Sequence, residues 1–372
     1  MGPLGGQELG AFLTRLRYDW FIGGRNPPRS AASVHSWTHP LNFGPKMASE
    51  PKSKYEPAFL LTLYQDMLFY RRFEERVNQA YQKGKFAGFC HLHIGQEAVC
   101  VGVQKSLRPT DYMISGYRSH TQAMAKGIDP KAVLSELFGK KTGAVGGKGG
   151  SMHMFSKEHR FFGGHGIVGG QCPIAAGVAF AIKYDKKDDI IVCYLGDGAC
   201  NQGQFFEAMN MAATWHLPVL YIIENNQYGM GTDYHRVTSV DRLSKRALAF
   251  DMDHSEVDGM EVLKVYEHVS GIVAKMRKKP APYLLEVLTY RYRGHSVSDP
   301  ASYRTKEEVA KFQLRDPIVQ LAEVLKKQKL ASEDDLKAWD KAVRERTAAI
   351  EEYADAAPRP AVSDLWLNVL AD

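Results

Sequence analysis

Asp197 stands between Gly196 and Gly198, directly after the apolar run 189–195 (DIIVCYL), and a helical pattern resumes by about residue 204. Glycines on both sides of an acid at a strand end let the backbone approach a ligand. They also leave the carboxylate in the crevice where α/β sheets bind small molecules. The next apolar run, 219–223, ends in Glu224-Asn225-Asn226 and then Gln227-Tyr228-Gly229. Asp197 and Asn226 therefore fall at the C-terminal ends of two successive strands of one βαβ unit. A carboxylate, an amide oxygen and a nearby main-chain carbonyl are hard oxygen donors, and with diphosphate oxygens and a water they complete an octahedral Mg²⁺ shell. Either motif alone is a common turn signature. Their spacing around a single helix is what points to a metal–diphosphate site. Two rival phosphate motifs fail: a dinucleotide fingerprint needs glycine at 201, which is Asn201, and a P-loop on Gly147-Lys148 needs Ser or Thr at 149 and Gly at 142, which are Gly149 and Thr142.

Several elements must hold these residues. Runs 189–195, 219–223 and 283–288 have strand length and are apolar throughout, as strands buried on both faces are. With 204–215 reading as a helix between the first two, they predict an α/β fold, a parallel sheet with helices on both faces. Residues 111–114 are strand-like. From 57 to about 83, Leu60, Leu63, Met67, Phe73 and Val77 recur at helical spacing. Asp129-Pro130 starts another helix, glycine-rich loops are expected at 143–150 and 163–170, and 306–354 forms a helical tail with a capping-box pattern at Thr305 and Glu308.

Composition sets the frame. The 372 residues are 44% hydrophobic and 24% charged, which excludes disorder and a fibrous repeat. No apolar run reaches the roughly 18 residues of a spanning helix, so no membrane role is expected. The net charge is +6, but residues 1–46, rich in Gly, Pro, Ser and Arg, hold five basic and two acidic side chains. The rest is near balance, and no nucleic-acid face is expected. Residues 1–50 read as a targeting leader or an upstream extension, and 51–372 as the folded domain. The five cysteines form no C-x-x-C pair and read as buried free thiols in a reducing compartment.

The thirty-residue G-D-G to N-N arrangement resembles the cofactor motif of thiamine diphosphate enzymes. GDGACNQGQFFEAMNMAATWHLPV, ENNQYGMGT, GGKGGSMHMF, GFCHLHIGQEAV and YRYRGHSVSDPASYRT together resemble the alpha subunits of the pyruvate dehydrogenase component of 2-oxoacid dehydrogenase complexes, from about Tyr55 onward. The resemblance implies a thiamine diphosphate-binding fold with that cofactor and Mg²⁺. Asp197, Asn226 and the Tyr228 carbonyl would be the metal ligands. Gly196, Gly198 and Ala199 would hold the diphosphate through the backbone, and Tyr117 and Arg118 would grip it from another loop. Gly166 and Val168 would contact the pyrimidine end, and Met230 would bend the cofactor. His91 and His295 would face the substrate as catalytic groups, His295 also touching the cofactor.

The glutamate that activates the cofactor's pyrimidine belongs, in this family, to a related second α/β domain, for which no further run of strands follows residue 290. A beta subunit in an α₂β₂ heterotetramer is implied, with the lipoyl domain of a dihydrolipoamide acetyltransferase as the acceptor of acetyl from pyruvate. Phe89-Cys90-His91 and Tyr228-Gly229-Met230 favour pyruvate; branched-chain 2-oxo acids or acetoin are the alternative. Ser296, Ser298 and Ser302 lie where mitochondrial relatives are phosphorylated. Arg293 in place of a histidine and a segment one residue shorter look bacterial, so an ordered loop without kinase control is expected. Bacterial cytoplasm is the expected location, with the mitochondrial matrix as the alternative.

Overall fold

A computed structural model of the protein describes residues 54–369. The expected leader at 1–50 lies outside the described residues. The first helix, α1 (Pro57–Gln82), buries all five of the apolar residues whose spacing predicted it. It is followed by α2 (Glu97–Lys105), β1 (Tyr112–Gly116), the short α3 (His120–Ala125) and α4 (Pro130–Leu137). Asp129 caps α4, its carboxylate accepting the Lys131 N–H at 2.8 Å, and Pro130 occupies the first turn.

The centre runs β2 (Phe161–His165), α5 (Gln171–Tyr184), β3 (Ile191–Gly196), α6 (Gly203–Thr214) and β4 (Val219–Asn225). A two-residue hairpin, β5 (Tyr228–Gly229) and β6 (Thr232–Asp233), precedes β7 (Asp253–Asp258), α7 (Val262–Lys278) and β8 (Tyr283–Leu288). Six strands form one parallel sheet in the order β2-β1-β3-β4-β8-β7. Alternation along β3 splits its side chains between two cores: Val192 and Tyr194 join one, Ile191, Cys193 and Leu195 the other. Helices α1, α2 and α7 cover the first face, α5 and α6 the second. The expected α/β architecture is present, and all five cysteines are buried and free.

Two details correct the sequence reading. The stretch 163–170 is not wholly loop, because Gly163 and Gly164 lie in β2, where glycine is needed: a Cβ on Gly164 would stand 2.4 Å from the Ser119 hydroxyl. The helical tail comprises α8 (Lys306–Gln313), α9 (Pro317–Lys327) and α10 (Glu333–Ala356). Thr305 caps α8, but Glu308 does not reach back to complete a box. Its carboxylate instead accepts the hydroxyls of Tyr228 and Tyr290 at 3.0 and 2.7 Å. The complete capping box belongs to Ser332 and Asp335 on α10.

Candidate active site

In the sheet order, β2 lies on one side of β1 and β3 on the other. The chain thus reverses its direction of travel across the sheet between β1 and β3, the kind of position where parallel sheets open a crevice beyond their strand ends. A cavity of about 360 Å³ lies there. Gly196, at the end of β3, pairs in register with Glu224 near the end of β4, so the two expected ligand segments leave the sheet side by side.

Asp197 is 2% exposed, and its Oδ2 has no hydrogen-bond partner. Burial raises its pKa to about 6, with the charge of Arg291 and two backbone N–H groups pulling the other way. The Asn226 side chain is oriented by Gln96, whose Oε1 accepts from Asn226 Nδ2 at 3.1 Å. That leaves Asn226 Oδ1 to accept from Arg291 Nη1 at 3.4 Å, and the same nitrogen donates to the Tyr228 carbonyl at 3.3 Å. The two loops touch through glycine: a Cβ on Gly198 would sit 2.9 Å from the Gly229 Cα, and one on Gly229 would sit 3.0 Å from the Gly198 Cα. This contact is a physical reason for glycine at both positions.

Sequence reasoning missed Arg291. It is 1% exposed and donates also to the Met230 carbonyl at 3.1 Å and the Tyr303 hydroxyl at 3.0 Å. A usable signal existed: an arginine three residues beyond β8, at the same end of the sheet as Asp197. Arg118 is buried as well, donating to the carbonyls of Leu92 and His295 at 2.5 and 2.9 Å. Burial and then the nearby charge of Arg291 lower its pKa to about 10. Among the described residues neither guanidinium has a carboxylate partner. Two buried, unpaired cations are costly unless the site receives an anion. The cavity is therefore shaped for a polyanion beside one oxygen-rich corner.

That corner suits Mg²⁺. Among the described residues no cluster of three His, Cys, Asp or Glu side chains could hold a metal. The Asp197 carboxylate, the Asn226 amide and the Tyr228 carbonyl could supply hard oxygens but not a full shell, and the rest would have to come from an anion.

The cavity wall includes Tyr117, Arg118, Val168, Gly196, Asp197, Gly198, Ala199, Asn226, Tyr228, Met230 and His295. His91 is off the lining. Its ring lies behind, 4.4 Å from Tyr117 and 5.0 Å from His295 between centroids. Gly166 is also off the lining, and a Cβ there would stand 3.0 Å from the His153 ring. Burial first, then Arg118, lowers the His91 pKa to about 2 and that of His295 to about 4. Both rings are thus neutral at physiological pH, and each has an unpartnered Nδ1. The carboxylate of Asp299 accepts the His295 backbone N–H at 2.6 Å, and the Ser296 and Ser298 hydroxyls bond at 2.9 Å with Ser296 buried.

A parallel sheet with such a cleft at its switch point makes this a ligand-binding α/β protein, and the family model for the dehydrogenase E1 component matches residues 65–363. The chain belongs to that family, whose members depend on thiamine diphosphate. It is 45% identical to the pyruvate dehydrogenase E1 component subunit alpha of Rhizobium meliloti, covering 92% of this chain and 99% of that protein. The subunit alpha of Zymomonas mobilis is 49% identical over 84% of this chain and 88% of its own length. The chloroplastic subunit alpha-3 of Arabidopsis thaliana is 46% identical over 84% and 74%.

Proposed function

We propose that this chain is the alpha subunit of a pyruvate dehydrogenase component, decarboxylating pyruvate oxidatively and passing acetyl to the lipoyl group of a dihydrolipoamide acetyltransferase. The names of its relatives support the substrate. The observation that carries the site is the buried Asp197 oxygen left without a partner beside two guanidiniums that have no carboxylate. Bound thiamine diphosphate would supply a carbanion equivalent for attack on the 2-oxo carbon. Asp197, Asn226 and the Tyr228 carbonyl would hold Mg²⁺, and Arg118 would face the diphosphate, with Gly196, Gly198, Ala199 and Tyr117 around it. Val168 and Gly166 would back the pyrimidine end. Met230, held at φ +55 on the cavity wall, would support the bent cofactor. His295, with neutral His91 behind it, would offer hydrogen bonds to a substrate carboxylate or oxyanion without adding charge.

A beta subunit completes this reading. Among the described residues the only acids on the cavity wall are Asp197 and Glu224, and Glu224 is held by His93 Nε2 at 2.7 Å. Glu224 is thus engaged, and Asp197 is the residue proposed to hold Mg²⁺, so neither would be left to act on a pyrimidine. On α5, Ile174, Phe180 and Tyr184 are 40%, 44% and 74% exposed, an apolar face suited to a partner chain. None of the described helices is long and apolar enough to cross a membrane. Residues 1–50 are read as a leader or extension on a domain spanning 51–372. The bacterial relatives favour the bacterial cytoplasm, which mass spectrometry of the mature N-terminus would test. The functional test is co-expression with a beta subunit and measurement of thiamine diphosphate-dependent CO₂ release. Pyruvate should be the better substrate; faster release from a branched-chain 2-oxo acid, or full activity of this chain alone, would overturn the reading.

A further inference from the structure

Among the described residues, one buried carboxylate close to the proposed metal corner has no cation partner. Glu286, on β8, is fully buried; its Oε1 accepts from Asn225 Nδ2 at 2.8 Å and its Oε2 from the Ser244 backbone N–H at 2.9 Å. A buried, unpaired carboxylate stabilises a fold poorly, so what it holds in place is the informative question. Asn225 is also fully buried, and with its amide nitrogen fixed by Glu286 its Oδ1 must face the turn. There it accepts the Gln227 backbone N–H at 3.2 Å and Gln227 Nε2 at 3.3 Å. Gln227 has φ +80, a left-handed conformation that a residue with a side chain keeps only when its surroundings enforce it. This turn separates Asn226 from Tyr228, so its geometry sets where the Asn226 amide and the Tyr228 carbonyl are presented.

Resting on the metal site proposed above, we infer that Glu286 is a positioning residue for Mg²⁺, acting through Asn225 and the Gln227 turn. It is not among the residues of the cavity wall. Removing its second acceptor oxygen sets an amide N–H against one of two donors. Outer partners of metal ligands typically govern affinity by about 10- to 100-fold.

The test uses the assembled α₂β₂ enzyme and Mg²⁺ titrated with thiamine diphosphate present, followed by intrinsic fluorescence rather than turnover. Glu286→Gln should raise the apparent Kd for Mg²⁺ by about 10-fold or more and change the ratio of Mn²⁺ to Mg²⁺ affinity, while kcat at saturating Mg²⁺ falls much less. Adding Asn225→Asp to that variant restores a donor–acceptor pair in the opposite sense, the introduced amide donating to the new carboxylate, and should recover most of the affinity. Should Glu286→Gln fail to fold, Asn225→Ser cuts the same relay with a smaller side chain and should weaken Mg²⁺ in the same direction. An unchanged Kd and unchanged metal preference in these variants, with only thermal stability lowered, would overturn the inference and leave the proposed function standing. Wild-type enzyme without Mg²⁺-dependent cofactor binding would overturn both.

Discussion

The two ends of the cavity are built differently. At the inner end Asp197, Asn226, Arg118 and Arg291 are all less than a tenth exposed, and each is oriented by hydrogen bonds or by burial. At the outer rim Met230 is 66% exposed and Val168 38%, and Ile167, next to Val168 in the chain, is 76% exposed. A buried constellation of polar and charged groups needs this chain alone to form it, because strands β1, β3, β4 and β8 end together there. An open apolar rim gains nothing from water and is completed only when another surface covers it. The inner end is finished by this chain's own packing; the outer end is what the proposed partner would cover.

The largest expected effect tests the finished end. Asp197→Ala removes the carboxylate of the oxygen corner and leaves two guanidiniums to repel a divalent cation. Mg²⁺-dependent binding of thiamine diphosphate should disappear, a loss greater than the about 100-fold that outer partners of ligands carry. Titration calorimetry on the assembled enzyme measures it, and retained binding would mean that the metal sits elsewhere.

The next effect tests the other surface proposed to await a partner. Phe180→Asp on α5 should leave the thermal stability of the isolated chain nearly unchanged, since the ring is already 44% exposed. Sealing a carboxylate into an apolar interface costs roughly 3 kcal/mol, so association with the beta subunit should weaken by on the order of 100-fold. Analytical ultracentrifugation would read it. Normal assembly would show that this face of α5 is not the interface.

A smaller effect concerns pH. Folding lowers the pKa of His295 to about 4 and of His91 to about 2, both from the ordinary 6.5. Between those values and 6.5 the unfolded chain binds more protons than the native one. These histidines therefore cost no stability near neutral pH, and native stability falls as pH drops below about 6.5. In His91→Gln/His295→Gln the loss of Tm between about pH 7 and pH 5 should be smaller than in the wild type. Equal losses would mean that the rings are not held neutral by the fold.

The same contrast explains what was legible in the sequence. β3 and β4 were readable because strands buried on both faces are apolar throughout, and the ligands follow them in the chain at once. Arg291 was not readable as a site residue, because its role depends on β8 lying beside β4, a pairing that joins residues more than sixty positions apart. Edge strand β7, DHSEVD, was missed because an edge carries polar side chains and shows no apolar run. Glu308 looked like half of a capping box until two tyrosine hydroxyls claimed its carboxylate. Local rules found the ends of strands; only packing shows what meets across them.

The subtlest test sits on the outer rim. Met230 holds φ +55 although it is not glycine, a conformation costing on the order of 1 kcal/mol, and its two-thirds exposed side chain regains little by packing. Strain kept at a rim residue is explained if the bulk of the side chain serves the bound state and not the fold. Met230→Gly should therefore raise Tm slightly, by no more than about 2 °C, while lowering turnover of the assembled enzyme. Opposite signs in the two measurements would place Met230 with the function. A fall in both would show that methionine there stabilises the rim itself, and unchanged turnover would remove it from the cofactor's support.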